Sequence, residues 1–121
     1  MNPVNWFEIP VKDMPRAKKF YTSVLDKELT VMQMPGMEMA AFPMAQEAPF
    51  ATGALVKAEN YEPCSNGVTV YFFCDDLNNE LGKVEKNGGK VLNSKMSIGE
   101  HGFVAHLLDT EGNRVALHSM K

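Results

Sequence analysis

Apolar and polar positions follow one order of periodicities in the first half of the chain, and the second half repeats it. "WFEIPV" alternates as a half-buried strand does. Asp13 then provides a helix N-cap and Pro15 lies in the first turn. Apolar residues at helical spacing predict an amphipathic helix over residues 14–25. Strands are predicted in "ELTVMQM", "MEMAAF" and "ATGALVKA".

The second half starts again with a predicted strand in "GVTVYFFC". Asp76 caps a predicted helix that carries Leu77, Leu81 and Val84 and ends at "NGG". Strands follow in "KVLNS", "GFVAHLLD" and "RVALHSM", and "DTEGN" forms the turn between the last two. The two halves are therefore predicted to have the same succession of elements.

A constant spacing supports a duplication. Asp13 and Asp76 lie 63 residues apart. The same offset links two further pairs, Trp6 with Thr69 and Gly53 with Ala116. We therefore predict two tandem βαβββ modules in a single domain over 1–121. Module 1 covers about 1–58, a polar linker about 59–67, and module 2 about 68–121.

The composition and charge of the chain restrict the kinds of binding partner that we expect. The chain has 121 residues, of which 45% are hydrophobic, which suits one domain with a real core. Its net charge is −3 and Lys and Arg form no run, which argues against nucleic acid as a partner. No apolar stretch approaches the ~20 residues that cross a bilayer. The start "MNPVNWFEIP" lacks the pattern of a signal peptide, so we expect a cytoplasmic protein without a membrane partner.

Three motifs that together cover nearly the whole chain resemble one known family. They are "IPVKDMPRAKKFYTSVLDKEL", "VYFFCDDLNNELGKVEKNGGKVL" and "FVAHLLDTEGNRVALHSM", of which the last contains a D-x-x-G-N turn between two strands. The sequence resembles the vicinal-oxygen-chelate superfamily, which holds glyoxalase I, bleomycin- and fosfomycin-resistance proteins and extradiol dioxygenases. The resemblance implies an α+β fold in which two curled mixed sheets enclose a cavity. It also implies a homodimer, because a partner often completes that cavity.

The resemblance further implies where metal ligands would lie. The first-strand positions are Trp6 and Thr69, and the last-strand positions are Ala116 and a residue near Gly53. Trp, Ala and Gly side chains cannot coordinate a metal, and a lone Thr is a poor ligand. We therefore predict no cofactor, with a divalent metal as the disfavoured alternative. Glyoxalase I activity is not expected, since it needs the metal to stabilise an enediolate.

Strand alternation suggests a set of residues that face the cavity. The candidate ligand-binding residues are Trp6, Glu8, Thr69, Tyr71, Phe73 and His118. Glu8, Tyr71 and His118 are also the candidate catalytic residues, as acid, base or ligand-orienting groups. Alternatively, Glu8 only satisfies a buried hydrogen bond to Tyr71 or His118, or is solvated at a rim. His106 is expected to point away from the cavity.

Four functions are compatible with these patterns. The first is a protein that binds a small apolar or aromatic molecule without metal, and the methionine-rich segment 32–44 suits such a pocket, although ordinary core packing also accounts for it. The second is a metal-dependent lyase, isomerase or dioxygenase with an atypical ligand set built on Glu8 and His118. The third is a metal-independent enzyme that uses Glu8 as acid or base. The fourth is an interaction module with a filled cavity. We favour the first.

Overall fold

Two four-stranded mixed sheets form the framework of the computed structural model, which describes residues 2–45, 47 and 49–121. The first sheet has the strand order β1-β4-β3-β2 and contains β1 (Trp6–Pro10), β2 (Thr30–Met34), β3 (Met37–Ala41) and β4 (Thr52–Ala58). The second has the order β5-β8-β7-β6 and contains β5 (Val70–Phe73), β6 (Lys90–Ser97), β7 (Phe103–Leu108) and β8 (Arg114–Ser119). The predicted α+β fold and the predicted order of elements are confirmed.

The same connectivity recurs in both sheets. The first strand of each sheet pairs in parallel with the last, and the remaining pairs are antiparallel. A helix follows the first strand in each half: α1 (Met14–Leu25) and α2 (Leu77–Leu81). Helix α1 packs against β3 and β4, and α2 packs against β6, β7 and β8, on the sides of the sheets that form the core. No helix among the described residues covers the opposite faces, which we call the open faces.

Helix α1 forms where the sequence predicts it. The Asp13 side chain accepts a hydrogen bond from the Arg16 amide at 3.0 Å, which satisfies a free N–H of the first turn. The helix ends at Asp26, whose left-handed backbone (φ 55°) stops the chain from continuing. Its buried side is formed by Met14, Ala17, Phe20, Tyr21 and Val24.

Helix α2 is shorter than predicted. It ends at Leu81, and the chain continues through turns into a 3₁₀ helix over Glu85–Asn87, so Val84 is not part of a continuous α-helix. Asn78, Asn79 and Gly82 have low helix propensity and occupy this short segment. The Asp76 cap is confirmed, because its side chain accepts from the Asn78 amide at 3.0 Å.

One hydrophobic core joins the two halves. It lies between the helices and the inner faces of both sheets. Phe7 and Phe42 from the first half contact Phe72 from the second, with ring centroids 5.8 Å and 5.6 Å from it. Tyr21 completes the cluster at 5.8 Å from Phe42 and 5.9 Å from Phe72. This contact fixes the orientation of one sheet relative to the other.

The "DTEGN" turn between β7 and β8 fastens the second half onto α1. The Glu111 carboxylate accepts from the Lys12 and Asp13 amides at 2.8 Å and 2.9 Å and forms a two-pronged ion pair with Arg16 at 2.7 Å and 3.0 Å. The Tyr21 hydroxyl donates to Asp109 at 2.6 Å. The family-like turn therefore works as a clamp between the modules.

No helix in the described part of the chain is long and apolar enough to cross a membrane.

Candidate functional site

The open face of the first sheet is lined by thioethers and small apolar side chains. Residues opposite one another in a ladder project to the same side, and the pairing aligns Met32 with Met39 and Met34 with Met37. The pairing of β3 with β4 places Val56 beside Met39. We call this the methionine face: Met32, Met34, Met37, Met39, Ala54 and Val56. Its buried members form a cluster separate from the main core.

Trp6 and Glu8 border the methionine face on β1. The indole Nε1 donates to the Glu8 carboxylate at 3.2 Å. Trp6 is 36% exposed and Glu8 is also exposed. Glu8 therefore lies at a rim, and its side chain is hydrogen-bonded to Trp6 on its own strand and not to Tyr71 or His118.

The open face of the second sheet is polar and aromatic. The ladder places Tyr71 opposite Ala116 and Ala116 opposite His106. It also places Asn93 opposite His106 and His118 opposite Phe73. We call this the histidine face: Tyr71, Phe73, Asn93, His106, Ala116 and His118. Tyr71 and Phe73 are 52% and 51% exposed, so their rings are available to a ligand.

A hydrogen-bonded chain crosses the histidine face. The Tyr71 hydroxyl oxygen lies 3.2 Å from His106 Nε2, and Asn93 Nδ2 lies 3.1 Å from His106 Nδ1. The amide nitrogen of Asn93 can only donate, so Nδ1 accepts and the imidazole proton belongs to Nε2. His106 Nε2 then donates to the Tyr71 oxygen, and this assignment rests on the hydrogen-bond network. The phenolic proton of Tyr71 is left to point towards the open side.

His106 is held in its neutral form. Burial lowers the pKa of His106 below its ordinary value of 6.5, and the positive charge of Arg114 lowers it further. Arg114 lies two residues before Ala116 on β8, so the two side chains project from the same face. Ala116 is paired with His106, so Arg114 shares the face of His106. A neutral imidazole keeps the Nδ1 lone pair that accepts from Asn93, and this bond assigns the single ring proton to Nε2.

His118 forms a second group on the same face. Its Nε2 donates to the His101 carbonyl at 2.7 Å, so this nitrogen carries the proton and is not a free ligand atom. The imidazole lies 5.6 Å from the Phe73 ring, and Phe50 from the first half approaches Phe73 to 5.4 Å. Phe73 is therefore flanked by two rings.

The structure distributes the predicted site residues over three groups. Trp6 is hydrogen-bonded to Glu8, Tyr71 is hydrogen-bonded to His106, and His118 is hydrogen-bonded to the His101 carbonyl. Thr69 precedes the first residue of β5 and is partly buried. The structure thus places Glu8, Tyr71 and His118 on open faces but does not join them in one hydrogen-bonded set.

One expectation about side-chain direction is wrong, and one position is refined by a residue. His106 points to the open face, because β7 and β8 pair in a register that sets it opposite Ala116. The counterpart of Ala116 is expected near Gly53; Gly53 itself pairs with Phe7, and a Cβ there would collide with the Phe7 carbonyl. The counterpart is Ala54, which lies opposite Glu8 as Ala116 lies opposite Tyr71.

A cleft of about 170 Å³ separates β1 from β5 and β8. Glu8 and Arg114 line it together with Cys64 and Asn66 from the linker. Arg114 makes no ion pair at 4.0 Å or less with any residue that the structure describes, including Glu8. Arg114, whose side chain makes no ion pair with the described residues, is therefore one of the residues that line this cleft between the two sheets.

The residues present do not fit a metal ion at the positions that the family resemblance implies. Ala54 and Ala116 offer methyl groups, and Trp6 offers an indole that is bonded to Glu8. Within 2–45, 47 and 49–121, no three His, Cys, Asp or Glu side chains are grouped so that they could hold a metal. The small side chain of Ala116 instead leaves room for Tyr71 and His106 to meet above it.

Comparisons with known proteins agree with this architecture. The family model of the Glyoxalase/Bleomycin resistance protein/Dioxygenase superfamily matches residues 4–117. A glyoxylase-like domain-containing protein of Didymella fabae is 31% identical over 118 residues, covering 94% of this chain and 91% of that protein. Two open sheets built from paired βαβββ units define the class of protein. The chain belongs to the Glyoxalase/Bleomycin resistance protein/Dioxygenase superfamily.

Solved structures show the same fold at lower identity. TnmS3, an antibiotic binding protein from Streptomyces sp. CB03234, is similar with a TM-score of 0.76 at 20% identity, covering 100% of this chain and 98% of that one. Glyoxalase I from Zea mays has a TM-score of 0.75 at 23% identity, covering 97% of this chain. The match covers 46% of the maize chain, so this chain spans about half of its length.

Proposed function

We propose that this protein is a homodimer that binds a small apolar or aromatic molecule between its open sheet faces, in the cytoplasm and without a resident metal ion. The observation that carries the proposal is the exposure of large apolar side chains on those faces. Tyr71 and Phe73 are about half exposed, and Met34 is 46% exposed. Large apolar side chains exposed on an open sheet face are typical of an interaction or ligand site in folded proteins.

A second copy of the chain is the proposed cover for both faces. Each chain has one methionine face and one histidine face. A twofold axis that sets the methionine face of one protomer opposite the histidine face of its partner creates two such contacts, which together cover all four faces. The resulting cavity would have one wall of flexible thioethers and one of aromatic rings. Thioethers adapt to irregular ligands, and rings stack on flat ones.

The chemistry of the walls supports binding without metal. The family positions hold Trp6, Ala54 and Ala116, which have no metal-donor atoms, and Thr69, which is a poor ligand alone. TnmS3 supports the same function, since a protein with this fold is described as antibiotic binding.

A metal-independent enzyme is the second candidate, and one observation favours it. His106 Nε2 donates to the Tyr71 oxygen, so the phenolic proton of Tyr71 can be delivered to the oxygen of a bound carbonyl compound and promote its enolisation. Glu8 is less suited to this role than the sequence implies, because it lies at the rim and is bonded to Trp6. Exchange of the methyl protons of 2-acetonaphthone in D2O, lost in His106→Gln, would support it.

Binding is tested with a neutral flat probe, N-phenyl-1-naphthylamine, whose fluorescence increases in apolar surroundings. We expect saturable binding to protein treated with EDTA, and no change when Zn²⁺ or Ni²⁺ is added. Phe73→Ser is expected to weaken binding, because it removes a ring from the histidine face. Val31→Ser is the control, since Val31 is 47% exposed and projects from the opposite side of β2.

Two results would contradict the proposal. One is fluorescence that never saturates, which would mean that the faces form no defined site. The other is binding that appears only after metal is returned, which would mean that the site depends on a metal ion.

A further inference from the structure

The second sheet is unusual in its charges. The sequences of its four strands, VYFF, KVLNSKMS, FVAHLL and RVALHS, contain no Asp or Glu. Leu108 lies two residues after His106 on β7 and therefore projects to the histidine face. It is paired with Lys90 on β6 and with Arg114 on β8, so both cations share that face. The strands of this sheet thus bring positive charge to the face and no negative charge.

Arg114 is available to a ligand. It makes no ion pair with the described residues, although Glu8 lines the same cleft. A guanidinium is always charged and suits a planar carboxylate, to which it can donate two hydrogen bonds.

Tyr71 adds a directed donor to this charge. Its oxygen accepts the His106 Nε2 proton, so its own proton has no partner within the chain that the structure describes. Asn93 fixes the imidazole from the other side, at 3.1 Å, which keeps the donor orientation. An acceptor oxygen of a ligand would complete the series of hydrogen bonds that runs from Asn93 through His106 to Tyr71.

We propose that the histidine face selects aromatic or apolar compounds that carry a carboxylate or a comparable anionic oxygen group. The hydroxyl of Tyr71 donates to that group, Arg114 supplies the countercharge, and the apolar body of the ligand lies against Phe73. This inference rests on the proposed function, since it assigns the ligand class of the same site.

The alternative ligand class is a neutral aromatic body held by stacking alone. A neutral ligand would leave the Tyr71 proton and the Arg114 guanidinium without partners once the partner chain excludes water. Burying unpaired donors is unfavourable, so closure of the dimer favours a ligand that accepts from them.

The test compares two probes of the same shape, 2-naphthoate and 2-naphthamide, by isothermal titration calorimetry on the intact protein. We expect 2-naphthoate to bind about tenfold more tightly, as charged hydrogen bonds of this kind allow. Tyr71→Phe and Arg114→Met should each remove most of that preference, and Tyr71→Phe keeps the ring. Tyr61→Phe in the linker and Lys57→Met, which projects from the other side of β4, are the controls and should keep it.

The outcomes separate this inference from the proposed function. Equal affinities for the two probes, or a preference that survives in both Tyr71→Phe and Arg114→Met, would overturn the inference. If N-phenyl-1-naphthylamine still binds in that case, the proposed apolar site stands. Failure of all three probes to bind would overturn both. Circular dichroism of each variant shows whether a loss of affinity reflects unfolding.

Discussion

The hydroxyl oxygen of Tyr71 and the imidazole Nε2 of His106 lie 3.2 Å apart, directly across the strand position of Ala116. Family resemblance places a metal ligand at Ala116, and the methyl group there cannot serve as one. The two rings, 5.9 Å apart and nearly perpendicular, occupy the space above it. The site therefore has a polar pair made of protein groups where a carboxylate would coordinate a metal.

The pKa of His106 should depend on the positive charge of Arg114. Burial and the charge of Arg114 both lower the pKa of His106, so Arg114→Met should raise that pKa towards 6.5 without reaching it. Because the unfolded chain binds this proton more readily, the contribution of His106 to stability decreases as the pH falls below about 6.5. In Arg114→Met, stability should therefore fall less steeply as the pH is lowered below about 6.5. Two-dimensional NMR of the imidazole nitrogens measures the pKa directly.

Lys57→Met is the control for the loss of one positive charge, because Lys57 projects from the other side of the first sheet. An unchanged pKa of His106 in Arg114→Met, or an equal rise in Lys57→Met, would contradict the assignment of Arg114 as the neighbouring charge.

The methionine face should be essential for dimerisation. Met34→Glu places a charge on this face and is expected to give folded monomers, because burial of an unpaired carboxylate opposes association. Val31→Glu should leave the dimer intact. The two positions are matched, since they lie on β2 with 46% and 47% exposure but project to opposite sides.

Light scattering coupled to size-exclusion chromatography measures the mass, and circular dichroism verifies the fold. A monomeric wild-type protein, or equal dissociation of the two variants, would be inconsistent with this arrangement.

The clamp at Glu111 should set the stability of the fold in acid. Its pKa is lowered from 4.5 to about 2 by hydrogen bonds from Arg16, from the backbone amides of Asp13 and Lys12 and from Thr110, which prevail over the opposing effect of burial. A lowered pKa in the folded state means that this stabilisation is complete above about 4.5 and is lost as the pH falls towards 2.

Glu111→Gln should lower the free energy of unfolding at pH 7 by about 2 kcal/mol, since it removes the charge of a buried carboxylate that accepts from Arg16 and from two backbone amides. It should also flatten the pH dependence of stability between 4.5 and 2. Chemical denaturation at several pH values checks both effects, and Glu62→Gln, whose exposed ion pair with Lys12 is 3.4 Å long, is the control. A wild-type-like acid transition in Glu111→Gln would disprove the clamp.

Local patterns were sufficient to predict the elements of the fold. Asp13 and the apolar spacing after it predicted α1 because capping and helical periodicity are properties of neighbouring residues. The "DTEGN" turn was predicted for the same reason. The sequence did not indicate that Glu111 clamps α1, because that contact joins residues almost 100 positions apart.

Side-chain direction was harder to predict, because it depends on the register between strands. A shift of one residue in the β7–β8 pairing would turn His106 to the opposite face, and recognising the "DTEGN" turn did not by itself give the residues at which the two strands begin to pair. The same limit explains why the counterpart of Ala116 was located only as near Gly53: the offset between the modules is 63 for β1 and β5 but 62 for β4 and β8. Tyr71 was predicted as a site residue, but its partner was missed.

Metal content is the most direct test of the central claim that this site lacks a resident metal. The protein is produced without a tag in medium that contains a mixture of divalent metals, and is analysed by plasma mass spectrometry. We expect metal far below one ion per chain, with unchanged binding of N-phenyl-1-naphthylamine after treatment with EDTA. Near-stoichiometric metal that is lost together with probe binding on chelation would contradict that claim.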